Sequence, residues 1–365
     1  MIWVFLGLLI LTLVINELLY SFSAGHLNYS TKTDKKVYEI GEEIIMTPVI
    51  ENRKIVSVPF LRVDEYYDKS LSVEVNSYSL FLLPFQRVKR TYHLYGNKRG
   101  LWYIEETSLK IGDLLGFHQR YLEVPLKIPV VILPLQKKLK EVILPYAGLY
   151  GPFSVRRWII DDPLMIRGIR EYTGSESQRH IHWASSLRHD KLMVKQFDFT
   201  QEKSALVYLN IESTKPFWQD PQVDAIEEAI VLARSVMEEL SKEKISYGFA
   251  SNAFNPSGSQ RGYYYPPGLA RENLRKYLEI LGKMNTIISM PLEDGLKGIA
   301  RNRGMFQTFI LITPRILPEY IRPLKEFSRS FGKTVIITAQ GDHLDKLPKS
   351  IEIYKGVDIF GNDAT

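Results

Sequence analysis

The stretch ALVYLNI at residues 205–211 decides the fold of the second half of the chain. It is an almost continuous apolar run, which is typical of a strand that is buried on both faces of a parallel sheet. Val223, Ile226 and Ile230 follow at three- and four-residue spacing and predict an amphipathic helix. Asp220 and Pro221 predict where that helix begins, as its cap and its first residue. A strand followed by a helix in this way favours an α/β domain with a mostly parallel sheet.

The same alternation continues to the end of the chain. Further strands are predicted at residues 246–251, 306–313 and 334–338, and helices around residues 274–281, 292–301 and 317–331. Ligands of such sheets bind beyond the carboxyl ends of the strands, which directs attention to the loops that follow the strands. None of these loops carries a glycine-rich phosphate fingerprint, so the sequence excludes a nucleotide site of that type.

Short alternating runs without a convincing helix fill residues 29–133. Period-two alternation between turns is typical of antiparallel strands with one buried face. Strands are predicted at residues 43–50, 58–63, 71–75, 79–83, 87–94, 101–111 and 124–133. About seven strands in this length predict an immunoglobulin-like β-sandwich without its cysteine pair.

Residues 2–20, IWVFLGLLILTLVINELLY, are almost wholly apolar and long enough to cross a bilayer as a helix. Asn16 and Glu17 shorten the uninterrupted apolar run. A cleaved signal peptide is the alternative, although no Lys or Arg precedes the run. Lys32, Lys35 and Lys36 follow it, so the positive-inside rule predicts a single-pass membrane protein with a cytoplasmic soluble part.

Length and composition favour a folded, α+β multidomain protein. With 365 residues the chain is longer than one hydrophobic core usually supports. We therefore predict a transmembrane anchor at 1–22, a β-sandwich at 29–133, a linker at 134–164 and an α/β domain with its preceding segment at 165–365. The absence of cysteine excludes disulfides and cysteine-based metal sites. The net charge of +6 is mild, and no nucleic-acid-binding module is present, so nucleic acid is not an expected partner.

The segment at residues 165–199 is MIRGIREYTGSESQRHIHWASSLRHDKLMVKQFDF, and it is rich in cations and histidines. Its arginines either form a basic recognition surface for a partner or pair internally with Glu171 and Asp190. Both interpretations stay open, and Trp183 is expected in the core. The candidate binding residues are Arg170, Glu171, Tyr172, Arg179, His182, Trp183, Arg188 and Lys191.

This segment resembles the signature of the bacterial family called domain of unknown function 58. The matching residues are Gly168, Arg170, Glu171, Tyr172, Gly174, Arg179, Ile181, Trp183, Arg188, Leu192, Val194 and Phe197. The pieces Arg99-Gly100 and GDLLGF at residues 112–117 resemble elements that close the sandwich domain of the family. Ser175 and Leu187 depart from the pattern, and the chain shows one apolar helix where members commonly have two.

The resemblance implies a β-sandwich, a von Willebrand factor A-like domain and association with a MoxR-type AAA+ ATPase. The metal site of von Willebrand factor A domains follows their first strand. At that place this chain has Asn210, Glu212, Ser213 and Thr214, with a single carboxylate, so neither a metal nor another cofactor is expected.

The resulting expectation is a non-enzymatic, membrane-tethered adaptor that works with such an ATPase in the assembly or maturation of other proteins. The alternative is a hydrolytic or metal-dependent enzyme centred on His180 and His182, which lie on one face if they belong to a strand.

Overall fold

The structure is a computed structural model. It describes residues 2–23, 27–73, 77–113, 115–139, 166–173, 181–197, 204–256, 258, 262–268, 270–331 and 333–360. The chain divides into two compact units. The first comprises Met1–Lys137 and Leu274–Ile287, and the second comprises Lys138–Asn273 and Ile288–Thr365. Most of the predicted linker at 134–164 lies outside the described residues.

The first unit begins with helix α1 at Ile2–Ser23. Its large apolar side chains are exposed along the first two thirds of the helix. The helix is long and apolar enough to cross a membrane, a property that it shares with signal sequences. The predicted apolar helix is therefore confirmed.

Eleven described strands follow in the first unit. They are β1 Leu27–Ser30, β2 Val37–Tyr38, β3 Glu43–Met46, β4 Val49–Asn52, β5 Val58–Tyr67, β6 Leu71–Val73, β7 Ser77–Leu82, β8 Arg87–Lys89, β9 Tyr92–Gly96, β10 Gly100–Gly112 and β11 Gln119–Ile132. They form a five-stranded sheet in the order β2-β11-β10-β5-β7 and two three-stranded sheets, β1-β4-β8 and β3-β9-β6. The pairs are antiparallel except β2 with β11, which is parallel.

The core of this unit lies between the large sheet and the two small ones. Tyr29 and Ile50 of the β1-β4-β8 sheet pack with Leu61 and Leu109 of the large sheet. In the same way, Ile44, Met46 and Leu94 of the β3-β9-β6 sheet pack with Ile104 and Val130. This arrangement confirms a β-rich, sandwich-like domain.

Two strands that the sequence predicts as continuous are broken. The run at 43–50 divides into β3 and β4, and the run at 87–94 divides into β8 and β9, so each contributes to both small sheets. Pro48 lies at the first break, where it has no N–H to donate to a neighbouring strand. At the second break the Arg90 N–H donates to the Pro48 carbonyl over 3.0 Å, so the breaks face each other.

The first two strands that the structure describes in the second unit form an antiparallel hairpin. Strands β12 at Ile166–Glu171 and β13 at Met193–Phe197 pair antiparallel, and helix α2 at Trp183–His189 lies between them in the sequence. The sequence predicted none of these three elements explicitly.

A six-stranded sheet forms the rest of the unit. The remaining elements of the chain are β14 Ser204–Leu209, α3 Val223–Lys242, β15 Ser246–Ser251, β16 Tyr263–Gly268, α4 Ala270–Lys283, α5 Leu292–Arg301, β17 Thr308–Thr313, α6 Ile321–Ser330, β18 Lys333–Thr338, β19 Glu352–Lys355 and α7 Gly356–Ile359. Residues from Leu274 onward in α4 belong to the first unit. The strand order is β16-β15-β14-β17-β18-β19, parallel except for β16 at one edge. The predicted mostly parallel sheet is confirmed.

This order is that of a doubly wound sheet: successive strands are added on one side of β14 as far as β16 and then on its other side from β17 onward. We call the carboxyl ends of β14 and β17 the switch point. Helix α5 approaches the sheet closely because its Gly295 has no side chain: a Cβ there would lie 1.9 Å from the Tyr208 hydroxyl on β14. The first residues of α5 thereby reach the switch point.

One prediction for this unit was wrong. Helix α3 begins after Gln222, and Asp220 lies in the left-handed region with φ 49°, so Asp220 does not cap the helix. The edge strand β16, a tyrosine-rich piece before α4, was not predicted from the sequence. It packs tightly on β15, where a Cβ on Gly248 would lie 2.4 Å from the Tyr265 carbonyl oxygen.

Candidate functional site

Buried amides and hydroxyls join the strand ends at the switch point. Asn210 follows β14, Asn252 follows β15 and Thr313 ends β17. The Asn210 side-chain amide donates to Thr313 Oγ1 over 2.9 Å, and the Asn252 amide donates to Asn210 Oδ1 over 2.8 Å. The Ile211 N–H donates to Asn252 Oδ1 over 2.9 Å. The side chains at this edge therefore satisfy one another within the fold.

Glu212 is the carboxylate of the predicted metal-site positions, and it is fully buried. Its Oε2 accepts the N–H of Leu292, the first residue of α5, over 2.9 Å. A carboxylate is favourable at a helix N-terminus because unpaired N–H groups give that end a partial positive charge. The Tyr320 hydroxyl donates to the Glu212 carbonyl over 3.3 Å. Burial, followed by the charge of Glu212, raises the pKa of Tyr320, so its hydroxyl stays protonated as a donor.

Lys215 supplies the cation at this site. Its Nζ lies 2.7 Å from Glu293 Oε1 and 2.9 Å from Glu293 Oε2. The same Nζ lies 3.3 Å from Glu212 Oε1 and 5.6 Å from the centre of the Tyr320 ring. Burial lowers the pKa of Lys215, but the hydrogen bond that it donates to Glu293 and the charges of Glu212 and Glu293 outweigh burial, so the pKa is raised. An ammonium group thus lies between the carboxylates of Glu212 and Glu293.

Ser213 and Thr214 shape the loop between β14 and α3. Ser213 Oγ accepts the N–H of Gln222, the residue that precedes α3, over 2.9 Å. Thr214 Oγ1 donates to the Gln219 carbonyl over 2.7 Å. Both hydroxyls are therefore engaged in closing the loop.

The residues at the switch point do not fit a divalent cation. Such an ion needs carboxylate and carbonyl oxygens directed at one point. The carboxylates of Glu212 and Glu293 are directed at Lys215, and the amide oxygens of Asn210 and Asn252 accept hydrogen bonds. Among the residues that the structure describes, no group of three or more His, Cys, Asp or Glu side chains is placed to hold a metal.

Helix α2 is fixed to the hairpin by one buried hydroxyl. Ser186 Oγ accepts the Met193 N–H over 2.8 Å and donates to the His182 carbonyl over 3.1 Å. The His182 N–H donates to the Met193 carbonyl over 2.8 Å, and Ile181 bridges to Val194. Helix α2 is therefore held against β13 by polar contacts as well as by buried apolar side chains.

His182 caps helix α2 and does not lie in a strand as the enzyme hypothesis requires. Its Nδ1 accepts the Ser185 N–H over 3.1 Å, so the neutral ring carries its proton on Nε2. One ring nitrogen is thus occupied by the cap. His180, the other half of that hypothesis, lies outside the described residues, as does Arg179 of the candidate binding set.

The outer face of helix α2 is exposed. Trp183 is 63% exposed and Leu187 is 83% exposed, and they lie one turn apart. The expectation of a core position for Trp183 was wrong, because Ile181 and Ser186 supply the buried side of this segment. We call Arg170, Trp183, Leu187, Arg188 and Lys191, which are all exposed, the α2 surface.

The charged residues of the predicted binding set that lie near this surface, Arg170, Glu171 and Lys191, form their contacts at the protein surface. Lys191 Nζ lies 3.1 Å from Glu171 Oε1, with both side chains well exposed. Arg170 Nη1 donates to the Glu171 carbonyl over 3.3 Å. Tyr172 is half-buried, and its N–H donates to the Leu192 carbonyl over 2.8 Å. Glu171 therefore forms an ion pair with Lys191 at the surface.

No model of a known protein family matches the sequence, and no curated protein matches it. Several solved structures match parts of the chain. The CARDB domain of a Pyrococcus furiosus protein, in complex with di-metal ions, is 14% identical and covers 27% of this chain and 90% of its own, with a TM-score of 0.20. A FixG-related protein from Vibrio parahaemolyticus is 10% identical and covers 28% of this chain and 94% of its own, with a TM-score of 0.20. Native alpha-2-macroglobulin from Escherichia coli is 17% identical and covers 36% of this chain and 22% of its own, with a TM-score of 0.25.

Proposed function

We propose that the protein is a non-enzymatic, membrane-anchored adaptor that binds a partner protein through the α2 surface. The observation that carries the proposal is the exposure of Trp183 and Leu187 on one face of a short, well-anchored helix. A Trp with most of its surface in water loses the free energy that burial would give it. A binding partner that covers this ring would recover that free energy.

The composition of the α2 surface is that of a protein-binding site. Trp and Arg are enriched among the residues that dominate binding energy at protein interfaces. Arg170, Arg188 and Lys191 are exposed in the same segment of the chain and give it positive charge. Charge complementarity therefore favours an acidic patch on the partner, which speeds association and selects against basic proteins.

The switch point supports the non-enzymatic part of the proposal. Ligands of doubly wound sheets bind at this position. In this chain the side chains of Asn210, Asn252 and Thr313 are hydrogen-bonded to one another, and Lys215 lies between the carboxylates. Such an arrangement stabilises the fold and leaves these groups engaged with one another.

The resemblance to domain of unknown function 58 suggests a MoxR-type AAA+ ATPase as the partner and a von Willebrand factor A-like identity for the second unit. The strand order with an antiparallel edge strand is compatible with that identity. ATP hydrolysis would belong to the partner. Residues 2–20 would lie in the lipid, and the lysines that follow α1 favour a cytoplasmic location of the soluble part.

The test is affinity capture of the full chain with the MoxR-type ATPase of the source organism, followed by titration with the purified ATPase. Trp183→Ala is expected to weaken binding by about 2 kcal/mol or more, about 30-fold in Kd. The matched control is Trp218→Ala, because Trp218 is similarly exposed at 72% but lies in the loop between β14 and α3. Arg188→Ala and Arg329→Ala form a second pair, with both arginines exposed in the second unit.

The proposal predicts weaker capture for Trp183→Ala and Arg188→Ala and wild-type capture for both controls. Thermal unfolding of each variant verifies that the fold is retained. Loss of capture with Trp218→Ala alone would move the binding site to the switch-point loop. Absence of ATPase capture by the wild-type chain, even after crosslinking, would contradict the proposed partner.

A further inference from the structure

The first unit connects the apolar helix α1 to one loop of the sandwich through a buried side chain. Asn16 is only 4% exposed, although its neighbours on α1 are mostly exposed. Its Nδ2 donates to Asp113 Oδ2 over 2.6 Å, and its Oδ1 accepts the Leu115 N–H over 3.3 Å. Asp113 Oδ1 also accepts the His118 N–H over 3.2 Å, which closes the loop between β10 and β11. Asn16 is therefore part of the loop's own hydrogen-bond network.

Further contacts hold the carboxyl-terminal part of α1 at the same end of the sandwich. The Tyr20 ring stacks on His118 with ring centres 5.2 Å apart, and the Arg120 guanidinium lies 5.5 Å from the centre of the Tyr20 ring. Lys54 Nζ donates to the Phe22 carbonyl over 2.8 Å. Burial opposes ionisation of Asp113, but the hydrogen bond from Asn16 and those from the loop backbone lower its pKa. The carboxylate therefore stays charged and keeps the loop attached to α1.

Three loops meet at this end of the sandwich, because the first residues of β5 pair with the last residues of β7 and β10. Each loop exposes large apolar side chains. They are Ile55 between β4 and β5, Leu83 and Phe85 between β7 and β8, and Leu115 and Phe117 between β10 and β11. An exposed arginine accompanies each loop: Arg53, Arg87 and Arg120. Clustered exposed apolar residues of this size mark an interaction surface.

The position of Asn16 along α1 indicates what covers this surface. The apolar residues that precede it, 2–15, span only about 21 Å as a helix, whereas a hydrocarbon core is about 30 Å thick. Residues up to about Tyr20 must therefore enter the membrane if α1 crosses it. Because Leu115 is hydrogen-bonded to Asn16, this placement carries the β10–β11 loop to the membrane boundary with the helix.

We infer that the three loops form a membrane-binding face of the sandwich, which inserts Ile55, Phe85 and Phe117 into the interface of an anionic bilayer beside α1. Apolar side chains that penetrate about 5–10 Å, with basic residues at the headgroups, are the usual form of interfacial binding. Arg87 and Arg120 supply the attraction to anionic lipid, whereas Arg53 is paired with Glu51 over 2.8 Å. This inference rests on the membrane anchor of the proposed function and adds a second, peripheral attachment that fixes the orientation of the sandwich.

The test uses single-cysteine variants of the full chain, because the native sequence has no cysteine. Phe117→Cys and Phe85→Cys carry a polarity-sensitive fluorophore in vesicles of phosphatidylcholine and phosphatidylglycerol. Lys69→Cys is the matched control, since Lys69 is exposed at the opposite end of β5, about 30 Å away. Leu9→Cys reports on the anchor independently. We expect blue-shifted emission and loss of most of the emission to nitroxide lipid at positions 9, 85 and 117, and neither effect at position 69.

The possible results distinguish the membrane-binding face of the sandwich from the membrane anchor α1. Quenching at position 9 without quenching at 85 and 117 would overturn the membrane-binding face and leave the anchor intact. Absence of quenching at position 9 would overturn the anchor and the face together. Addition of Asn16→Ala to the Phe117→Cys variant is expected to reduce quenching at 117 while quenching at 9 remains; unchanged quenching at 117 would show that the Asn16 contact does not position the loop.

Discussion

The switch point and the α2 surface belong to the same unit, and they use their polar and aromatic residues in opposite ways. At the switch point Glu212 is fully buried and Lys215 lies 3.3 Å from its carboxylate. On the α2 surface Trp183 and Leu187 are exposed beside Arg188 and Lys191. Glu212 and Lys215, which are charged and could belong to a reaction site, form contacts with each other inside the fold. Trp183 and Leu187, which are apolar and could belong to a core, are exposed to solvent.

This difference shows that residue type alone is a weak guide to function. Glu212 lies near the amides of Asn210 and Asn252, but its carboxylate accepts the Leu292 N–H and forms an ion pair with Lys215. A Trp between apolar neighbours suggests a core until Ser186 is found on the buried side of the same helix. The comparison predicts that substitutions at the switch point change stability and that substitutions on the α2 surface change binding.

The largest change in unfolding free energy is expected for Lys215→Ala. Removal of the ammonium leaves the buried carboxylate of Glu212 and that of Glu293 facing each other, which costs about 3 kcal/mol of unfolding free energy. Lys297→Ala is the control, because Lys297 pairs with Asp294 on the exposed side of α5 and its removal changes stability by less than about 0.5 kcal/mol. Urea unfolding of both variants measures the difference.

A titration with Mg²⁺ also tests the switch point. If the Lys215 ammonium occupies the place between the carboxylates that a metal ion would take, Mg²⁺ has no site there. The urea midpoint of the wild-type protein then stays unchanged when Mg²⁺ is added. Equal stability losses for Lys215→Ala and Lys297→Ala, or a midpoint that rises with Mg²⁺, would show that the switch point is not closed in this way.

On the α2 surface, Leu187→Asp is expected to weaken partner binding by about 2 kcal/mol. The new carboxylate is unfavourable against an acidic patch, and a charge is costly to bury at an interface. Because Leu187 is 83% exposed, the unfolding free energy is expected to stay within about 0.5 kcal/mol of the wild type. A binding titration and a urea melt on the same sample test both parts; a large stability loss with unchanged binding would reverse the comparison.

Ser186→Ala tests the anchoring of helix α2. The change removes the acceptor of the Met193 N–H and the donor to the His182 carbonyl, which costs about 1 kcal/mol of unfolding free energy. The neighbouring Ser185→Ala is the control, since Ser185 contributes its backbone N–H to the His182 cap and keeps it in the variant. Similar unfolding midpoints for the two variants would show that the Ser186 hydroxyl does not hold the helix.

The smallest expected effect is a change in how the unfolding free energy depends on pH in the alkaline range. The pKa of Lys215 is raised in the folded protein, so the folded state keeps its proton at a pH where the unfolded state has lost it. The stability that Lys215 provides is therefore fully present below its ordinary pKa and declines as pH rises through the folded value. We expect the unfolding free energy of the wild type to fall more steeply above about pH 10.5 than that of Lys215→Met, as measured by urea unfolding.

Much of the fold follows from local sequence patterns. The strands β14, β15, β17 and β18 are recognisable because continuous apolar runs predict strands that are buried on both faces. The missed edge strand β16 contains tyrosines and two prolines and is only partly buried, so it lacks that pattern. The breaks of the runs at 43–50 and 87–94 depend on two distant segments that face each other at Pro48 and Arg90, and neither run alone reveals this.

The candidate sites were less predictable than the fold. The positions Asn210, Glu212, Ser213 and Thr214 were located correctly at a strand end, but their partners Asn252, Glu293 and Thr313 come from other segments. Lys215 was overlooked as the cation of the site because its contact with Glu293 joins residues far apart in sequence. The exposure of Trp183 depends on Ser186 and Val194 filling the buried side, which the alternation of residue types in this segment does not show.

The most direct measurement is photocrosslinking in membranes that contain the full chain and the MoxR-type ATPase proposed as its partner. A photoreactive benzoylphenylalanine is placed at position 187 on the α2 surface or at position 218 beside the switch point. The account predicts an ATPase crosslink from position 187 and none from position 218. A crosslink from 218 alone, or none from 187 although the ATPase is captured, would contradict it.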